Sequence, residues 1–243
     1  MYENVDKESL SKIVMYGVNT KYPKEYSKDK GYNILFEYDL PIFDDSLQKN
    51  GYCQTSCLYH IYMNGLHKKS TYIGFLQYDM KLERTTITDI EKRLMNNRPV
   101  MFHQQTHNIY ESLELDEMFH ICLPYKDSVL EKYNQHFNTN YRLKDFFNMS
   151  HIIKIPLFHT FVITSEMFEQ MMAWYVTLTD WIKTYHYDTE KACLTERILA
   201  LYLTIEIMKN PAIELVPLKL THIWPLYHNK THFENYKQVV HAD

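Results

Sequence analysis

Apolar positions fall in short runs divided by polar, proline-bearing stretches, and several runs are of strand length. Residues 12–18 (KIVMYGV) predict a first strand, and Asn19, Thr20 and Lys21 the turn that leaves it. Ile34, Leu35 and Phe36 are a second strand candidate inside a polar stretch. Residues 52–63 place Tyr52, Leu58, Tyr59 and Tyr62 around Cys53 and Cys57, which predicts a mostly buried helix. Asn64-Gly65 stops it, the glycine supplying the left-handed conformation common at helix ends. Tyr72-Ile73-Gly74-Phe75-Leu76 predicts a central strand covered on both faces.

The pattern continues in this alternating way. A helix is expected over residues 82–97, ended by Arg98-Pro99, and a strand over 100–103. Phe119 to Leu123 is a short strand or helix. Residues 127–139 predict a helix with Val129, Leu130, Tyr133 and Phe137 inward, followed by a short helix over 143–149. Residues 156–164 predict a strand entered from Pro156. Ser165 then caps a helix that buries Phe168, Met172, Tyr175 and Ile182, with Glu169 roughly placed for a capping box. Residues 194–203 are strongly apolar and read as a helix opened by Glu196.

At 243 residues the chain suits one α/β domain with a sizeable core. Its 23% charged and 45% hydrophobic content is that of a globular protein. A net charge of −4 gives no global attraction to nucleic acid or anionic lipid, so no nucleic-acid partner is expected. The 21 tyrosines suit sugar and base contacts but also pack cores. Cys53, Cys57, Cys122 and Cys193 complete no zinc spacing and read as reduced packing residues of a cytoplasmic protein. No apolar stretch approaches the roughly 18 residues needed to span a bilayer.

Candidate chemistry sits at strand exits. In open α/β sheets ligands bind beyond the carboxyl ends of the strands. Gln77, Tyr78 and Asp79 follow the 72–76 run, and Asp79 there either holds a metal or substrate hydroxyl or caps the next turn. On the residues alone the turn cap is the simpler reading. His103 and His107 would share a face only on a helix, so substrate or surface contact is expected before metal binding. Asp44 and Asp45 fit a turn and cap as well as a catalytic role. His159 is either a substrate contact or a hydrogen-bonded strand histidine. Glu196 is either a first-turn acid favoured by the helix dipole or a catalytic one. Met171, Met172 and Trp174 read as core.

Two blocks carry a resemblance. Asn50, the run Tyr52-Cys53-Gln54-Thr55-Ser56, Leu58-Tyr59-His60, Met63-Asn64 and the stretch from Tyr72 to Met80 resemble the central motif of a capsular-polysaccharide glycosyltransferase family. That family, known from bacterial genomes and large DNA viruses, shows Asn, Tyr-Cys-Glu-Leu-Thr, Tyr-Trp, Lys-Asn and a strand ending in Gly-Leu-x-His-Tyr-Arg-Arg. Leu194-Thr195-Glu196-Arg197-Ile198 is similar to its Leu-Ser-Glu-Arg-Leu block. Gln54 replaces the family's Glu, and Gln77-Tyr78-Asp79-Met80 replaces His-Tyr-Arg-Arg, which implies that a metal ion takes over phosphate-facing work from arginine.

The resemblance covers residues 12–202 and implies a GT-A-like nucleotide-binding α/β/α sandwich with a mixed central sheet. A single transferase domain over residues 1–243 would have its core at about 12–205, with a tail over 206–243 closing the site. It implies transfer of a sugar from a nucleotide-diphosphate donor, a UDP- or GDP-sugar, to a glycan acceptor hydroxyl. The alternative is a non-catalytic nucleotide-sugar or glycan-binding module of a larger transferase. Glu196 and Asp79 are then the catalytic candidates. Mn²⁺ or Mg²⁺ is the expected cofactor, held by Asp79 with His228 of the tail as a further ligand candidate. Tyr16, Gly17, Val18, Asn19 and Thr20 would hold the nucleotide. Tyr52, Thr55, Gln77, Tyr78, His159, Thr160 and Arg197 would complete the substrate contacts. A different α/β enzyme acting on the same ligand, such as a nucleotidyltransferase or hydrolase, would need a Gly-rich phosphate loop or several clustered acids, and the 5 glycines form no Gly-x-Gly or Walker pattern.

Overall fold

The computed structural model describes residues 13–19, 33–49, 52, 54–76, 80–82, 90, 92, 100–104, 126–142, 145, 160–185, 188–218 and 220–222. The sheet is built from β1 (Ile13–Asn19), β2 (Asn33–Phe36), β3 (Tyr72–Leu76), β5 (Val100–Gln104), β6 (Phe161–Thr164) and β7 (Glu214–Leu218). Their order across it is β2-β1-β3-β6-β5-β7. β1 is parallel to β2 and β3, β6 is antiparallel to both its neighbours, and β7 is parallel to β5. Every strand but β6 therefore points the same way. The carboxyl ends of five strands and the start of β6 share one edge. β4 (Met80–Leu82) and β8 (Leu220–His222) form a separate antiparallel pair.

Helices return the chain between the sheet's two edges. α1 (Gln54–Met63) leads from the exit of β2 back to the start of β3, so its amino end lies at the carboxyl edge. Its length of about 15 Å matches that of the strand beside it. Gly65 sits at φ 61° after it, as its sequence position predicts, and opens a short 3-10 turn, Leu66–Lys69. Because β6 runs downward, α3 (Ser165–Val176) starts at the opposite edge and climbs toward the carboxyl edge. α4 (Thr179–Lys183) follows. α5 (Asp188–Lys209) descends to the start of β7, and α2 (Lys126–Phe137) packs outside α3 and α5.

β3 is buried at all five positions, as expected for a strand covered on both faces. Ile73 and Phe75 face the core with Phe161, Ile163, Leu58, Ile61, Phe168 and Met172. Tyr72, Leu76 and Val162 point the other way and are buried too. Phe75 stands at the centre, its ring 5.3 Å from both Phe161 and Phe168. Met171, Met172 and Trp174 are all core, as their spacing suggests.

Several boundaries differ from the pattern reading. The cap of α3 is Thr164, whose side chain accepts from Met167 N–H; Ser165 instead donates to the Ser70 carbonyl at 2.6 Å. Glu169 makes no capping box: it holds Lys68 Nζ at 2.9 Å. Leu82 ends β4 instead of opening a helix. The sheet also continues past residue 205, with β7 as the last strand of the order among the described residues and Pro217 paired with His103 of β5. The expected elements at 113–125 lie outside the described residues, as do those at 82–97 and 143–149 apart from residues 82, 90, 92 and 145.

His67 joins the 3-10 turn to α3. It is buried between the rings of Tyr62, at 5.8 Å, and Phe168, at 5.3 Å. Its Nε2 is 3.7 Å from Glu169 Oε2, too far for a hydrogen bond. Burial lowers its pKa below the ordinary value of 6.5, against the opposing pull of Glu169 and the Ile61 backbone; neighbouring Lys68 adds to the lowering. The unfolded chain thus binds this proton more readily than the folded one. Stability is full above about 6.5 and falls as pH drops from there through the folded pKa. In urea titrations between pH 7.5 and 5, His67→Phe should flatten that slope while keeping the aromatic sandwich. An unchanged slope would assign the acid sensitivity to other groups.

Candidate active site

Several of the sequence-predicted positions among the described residues lie along the carboxyl edge. β1 ends at Asn19, opposite Phe36 of β2, and Gly17 pairs with Leu76, the last residue of β3. Phe161 at the start of β6 pairs with Phe75, which puts Thr160 at the same edge. The backbones of Gly17, Val18 and Asn19 thus lie beside the exit of β3 and across from the entry of β6. Tyr16 is one step inside: its ring is 5% exposed and lies 6.2 Å from Phe75, so it packs in the core. Thr20, Gln77, Tyr78, Asp79, His159 and His228 lie outside the described residues.

The segment after β2 builds one wall. Glu37 opens a 3-10 turn, Glu37–Asp39, and is buried. Its Oε1 accepts from Ser56 Oγ of α1 at 3.2 Å. Asp44 Oδ1 accepts from Ser46 N–H at 2.8 Å, so Asp44 plays the turn role open to it. Gln48 is buried and bridges the loop, accepting from Phe43 N–H and donating to the Pro41 carbonyl. Buried polar side chains with satisfied bonds hold a loop in one geometry, since losing a partner strands the other.

The other wall comes from α5. Its amino end is Asp188, so Glu196 is the ninth residue and not a helix opener. The dipole explanation for an acid there lapses, because that effect fades after the first turn. Thr195 Oγ1 lies 3.1 Å from Thr55 Oγ1, with both residues buried. Thr195 precedes Lys209 by 14 residues, or about 21 Å of helix, which returns it from the lower edge to the carboxyl edge. Glu196 is partly exposed at this level; Arg197 is in the helix, its side chain outside the described residues.

Tyr52, Thr55 and Thr160 are buried at this edge. Any side-chain contact they make to a ligand requires the edge to open. Around them stand Tyr59 and Tyr175, both held as neutral phenols: burial raises each pKa first, and the Asp44 charge raises both further, while Thr195 partly offsets the effect at Tyr175. Glu37 was not singled out from the sequence. A buried acid one residue past a parallel strand was its signal, but the strand itself is four residues in a polar stretch. Among the described residues no three His, Cys, Asp or Glu side chains cluster to hold a metal. The described donor set does not by itself fit a divalent cation, and Asp79 lies outside it. Among the described residues no helix is long and apolar enough to cross a membrane.

No protein-family model matches this chain. No curated protein matches it in sequence. Among solved structures, the fold is similar to that of WbbM, a bifunctional glycosyltransferase, in its apo form: TM-score 0.51 at 10% identity, over 87% of this chain. The chain spans 45% of that protein's length.

Proposed function

We propose that this chain is a glycosyltransferase that moves a sugar from a nucleotide-diphosphate donor to a glycan hydroxyl through a GT-A-like site at the carboxyl edge. One observation carries the reading: the end of β1, the exit of β3, the entry of β6 and the Thr195–Glu196 level of α5 converge on one edge. The likeness in fold to a glycosyltransferase supports it. Ligands of open α/β sheets bind at such an edge. The base and ribose of a UDP- or GDP-sugar would lie on the backbone of Gly17, Val18 and Asn19 and on Thr20. Tyr52, Thr55, Gln77, Tyr78, His159, Thr160 and Arg197 would supply the contacts on the sugar side, the buried ones among them once the edge opens.

In an inverting reaction Glu196 takes the acceptor hydroxyl proton as that oxygen bonds to the anomeric carbon. The bond from that carbon to the diphosphate breaks, and the nucleoside diphosphate leaves with the electron pair. Mn²⁺ or Mg²⁺ would supply positive charge for the departing diphosphate. Asp79 is the proposed contact for it, with His228 second. A thermal-shift screen of UDP- and GDP-sugars, with and without Mn²⁺, tests donor and metal together. Stabilisation by one donor is expected, with part of it dependent on Mn²⁺. In Asp79→Asn the Mn²⁺-dependent part should vanish; a full Mn²⁺ response in that variant would remove Asp79 from the site.

The second reading is a binding module of a longer transferase. It draws on the chain spanning 45% of the bifunctional enzyme. It differs in one result: donor binding with no release of nucleoside diphosphate when acceptors are supplied.

A further inference from the structure

The first turn of α1 makes two buried ties that reach apart. Thr55 reaches α5, its Oγ1 3.1 Å from Thr195 Oγ1. Ser56, the next residue, reaches the end of β2. Its one hydroxyl proton has two acceptors within reach, Glu37 Oε1 at 3.2 Å and the Lys49 carbonyl at 3.1 Å. It also accepts from Lys49 N–H at 3.2 Å. Thr55, Ser56, Thr195 and Glu37 are all buried. Glu37 directly follows Phe36, which pairs with Asn19 at the end of β1. One helical turn therefore spans from the strand ends of the donor side to the residue before Glu196.

We infer that the Thr55–Ser56 turn couples the two halves of the site, so that a nucleotide seated at the β1–β2 end steadies the α5 segment carrying Glu196. The inference rests on the donor and Glu196 assignments above. The mechanics are local. A shift of Glu37 moves the Ser56 proton to its second acceptor, Lys49, without stranding a buried hydroxyl. The same turn then carries Thr55, and through it Thr195, with it. Thr195 is a positioning residue in this scheme: its hydroxyl faces Thr55 of α1.

Amide hydrogen exchange of the full chain at residues 194–199 reads the coupling, with UDP and GDP as the probes. In the unmodified protein, the nucleotide that binds should slow exchange there by about tenfold, the worth of one buried hydrogen bond. Thr195→Val should abolish that slowing while nucleotide affinity by calorimetry stays within about threefold. Thr195→Ser, which keeps the hydroxyl, should restore it. Ser56→Ala should weaken the slowing from the other side and serves if Thr195→Val folds poorly. Persistent slowing in Thr195→Val overturns the inference, as does a loss of nucleotide affinity that matches the loss of slowing. If neither UDP nor GDP binds the unmodified chain, the donor assignment fails and the coupling falls with it. The ligand-free arm then judges the tie alone: exchange at 194–199 should be about tenfold faster in Thr195→Val and near normal in Thr195→Ser.

Discussion

Glu196→Gln should lower sugar transfer by roughly 10² to 10⁴ while donor affinity stays near that of the unmodified chain. Glutamine keeps the size of the side chain and much of its hydrogen bonding, but it cannot accept the acceptor proton. The expectation gains weight from where the residue sits. Glu196 is eight residues inside a 22-residue helix, so no helix-start role explains an acid there. It stands next to Thr195, whose hydroxyl is tied to the amino end of α1. Glu206 on the same helix is the control. It accepts from Tyr133 Oη at 3.1 Å and from Lys209 Nζ at 2.7 Å, far down the helix from the carboxyl edge. Glu206→Gln should cost stability and leave turnover per folded molecule unchanged. Transfer rate and calorimetric donor affinity, measured on both variants, decide it. Turnover like that of the unmodified chain in Glu196→Gln would take the residue out of catalysis.

The elements legible in the sequence were those with one dominant local signal. Tyr72–Leu76 is apolar at every position, and a run of that length has few alternatives to a buried central strand. The helix of Ser165–Val176 repeats large apolar residues at helical spacing, and Phe168, Met172 and Tyr175 are all buried. Gly65 marks a left-handed turn that other residues take at a cost. What depended on partners distant in sequence was not legible. The antiparallel setting of β6 between parallel strands is decided by the ladder to β3 and β5. β7 carries a proline that argues against a central strand, and it comes last in the order of the described strands. α5 starts at Asp188, ahead of its apolar run, because residues 188–193 are polar or small and helix formation there needs no apolar face. Serine and threonine are both good caps, so the sequence does not choose between Ser165 and Thr164; the Thr164 bond to Met167 N–H and the Ser165 bond to the Ser70 carbonyl do. At the site, strand exits and the Thr195–Glu196 block were visible as chemistry. Their convergence was not, because it depends on the Thr55–Thr195 contact between residues 140 apart.

Trp174→Ala should destabilise the chain by about 3–5 kcal/mol, the range for deleting a buried large aromatic. Trp174 is fully buried on α3, with Tyr133 of α2 at 5.3 Å edge-on and Tyr202 of α5 at 5.8 Å stacked. Tyr133 in turn lies 4.5 Å from Phe137 and donates to Glu206. Burial first, then the Glu206 charge, raises the pKa of both Tyr133 and Tyr202, so both stay neutral through the working pH range. One ring thus joins three helices, and its loss opens a cavity shared by all of them. Trp174→Phe should cost much less than the change in volume suggests. Trp174 Nε1 is buried with no hydrogen-bond partner among the described residues, so phenylalanine removes an unsatisfied donor along with the lost carbons. Urea unfolding of the two variants separates these terms, and the gap between them should exceed about 2 kcal/mol. The consequence reaches the site, because Tyr202 sits six residues below Glu196 on α5. Trp174→Ala should therefore also speed amide exchange along that helix before global unfolding. A loss under about 1 kcal/mol would mean that the three helices are held by something other than this cluster.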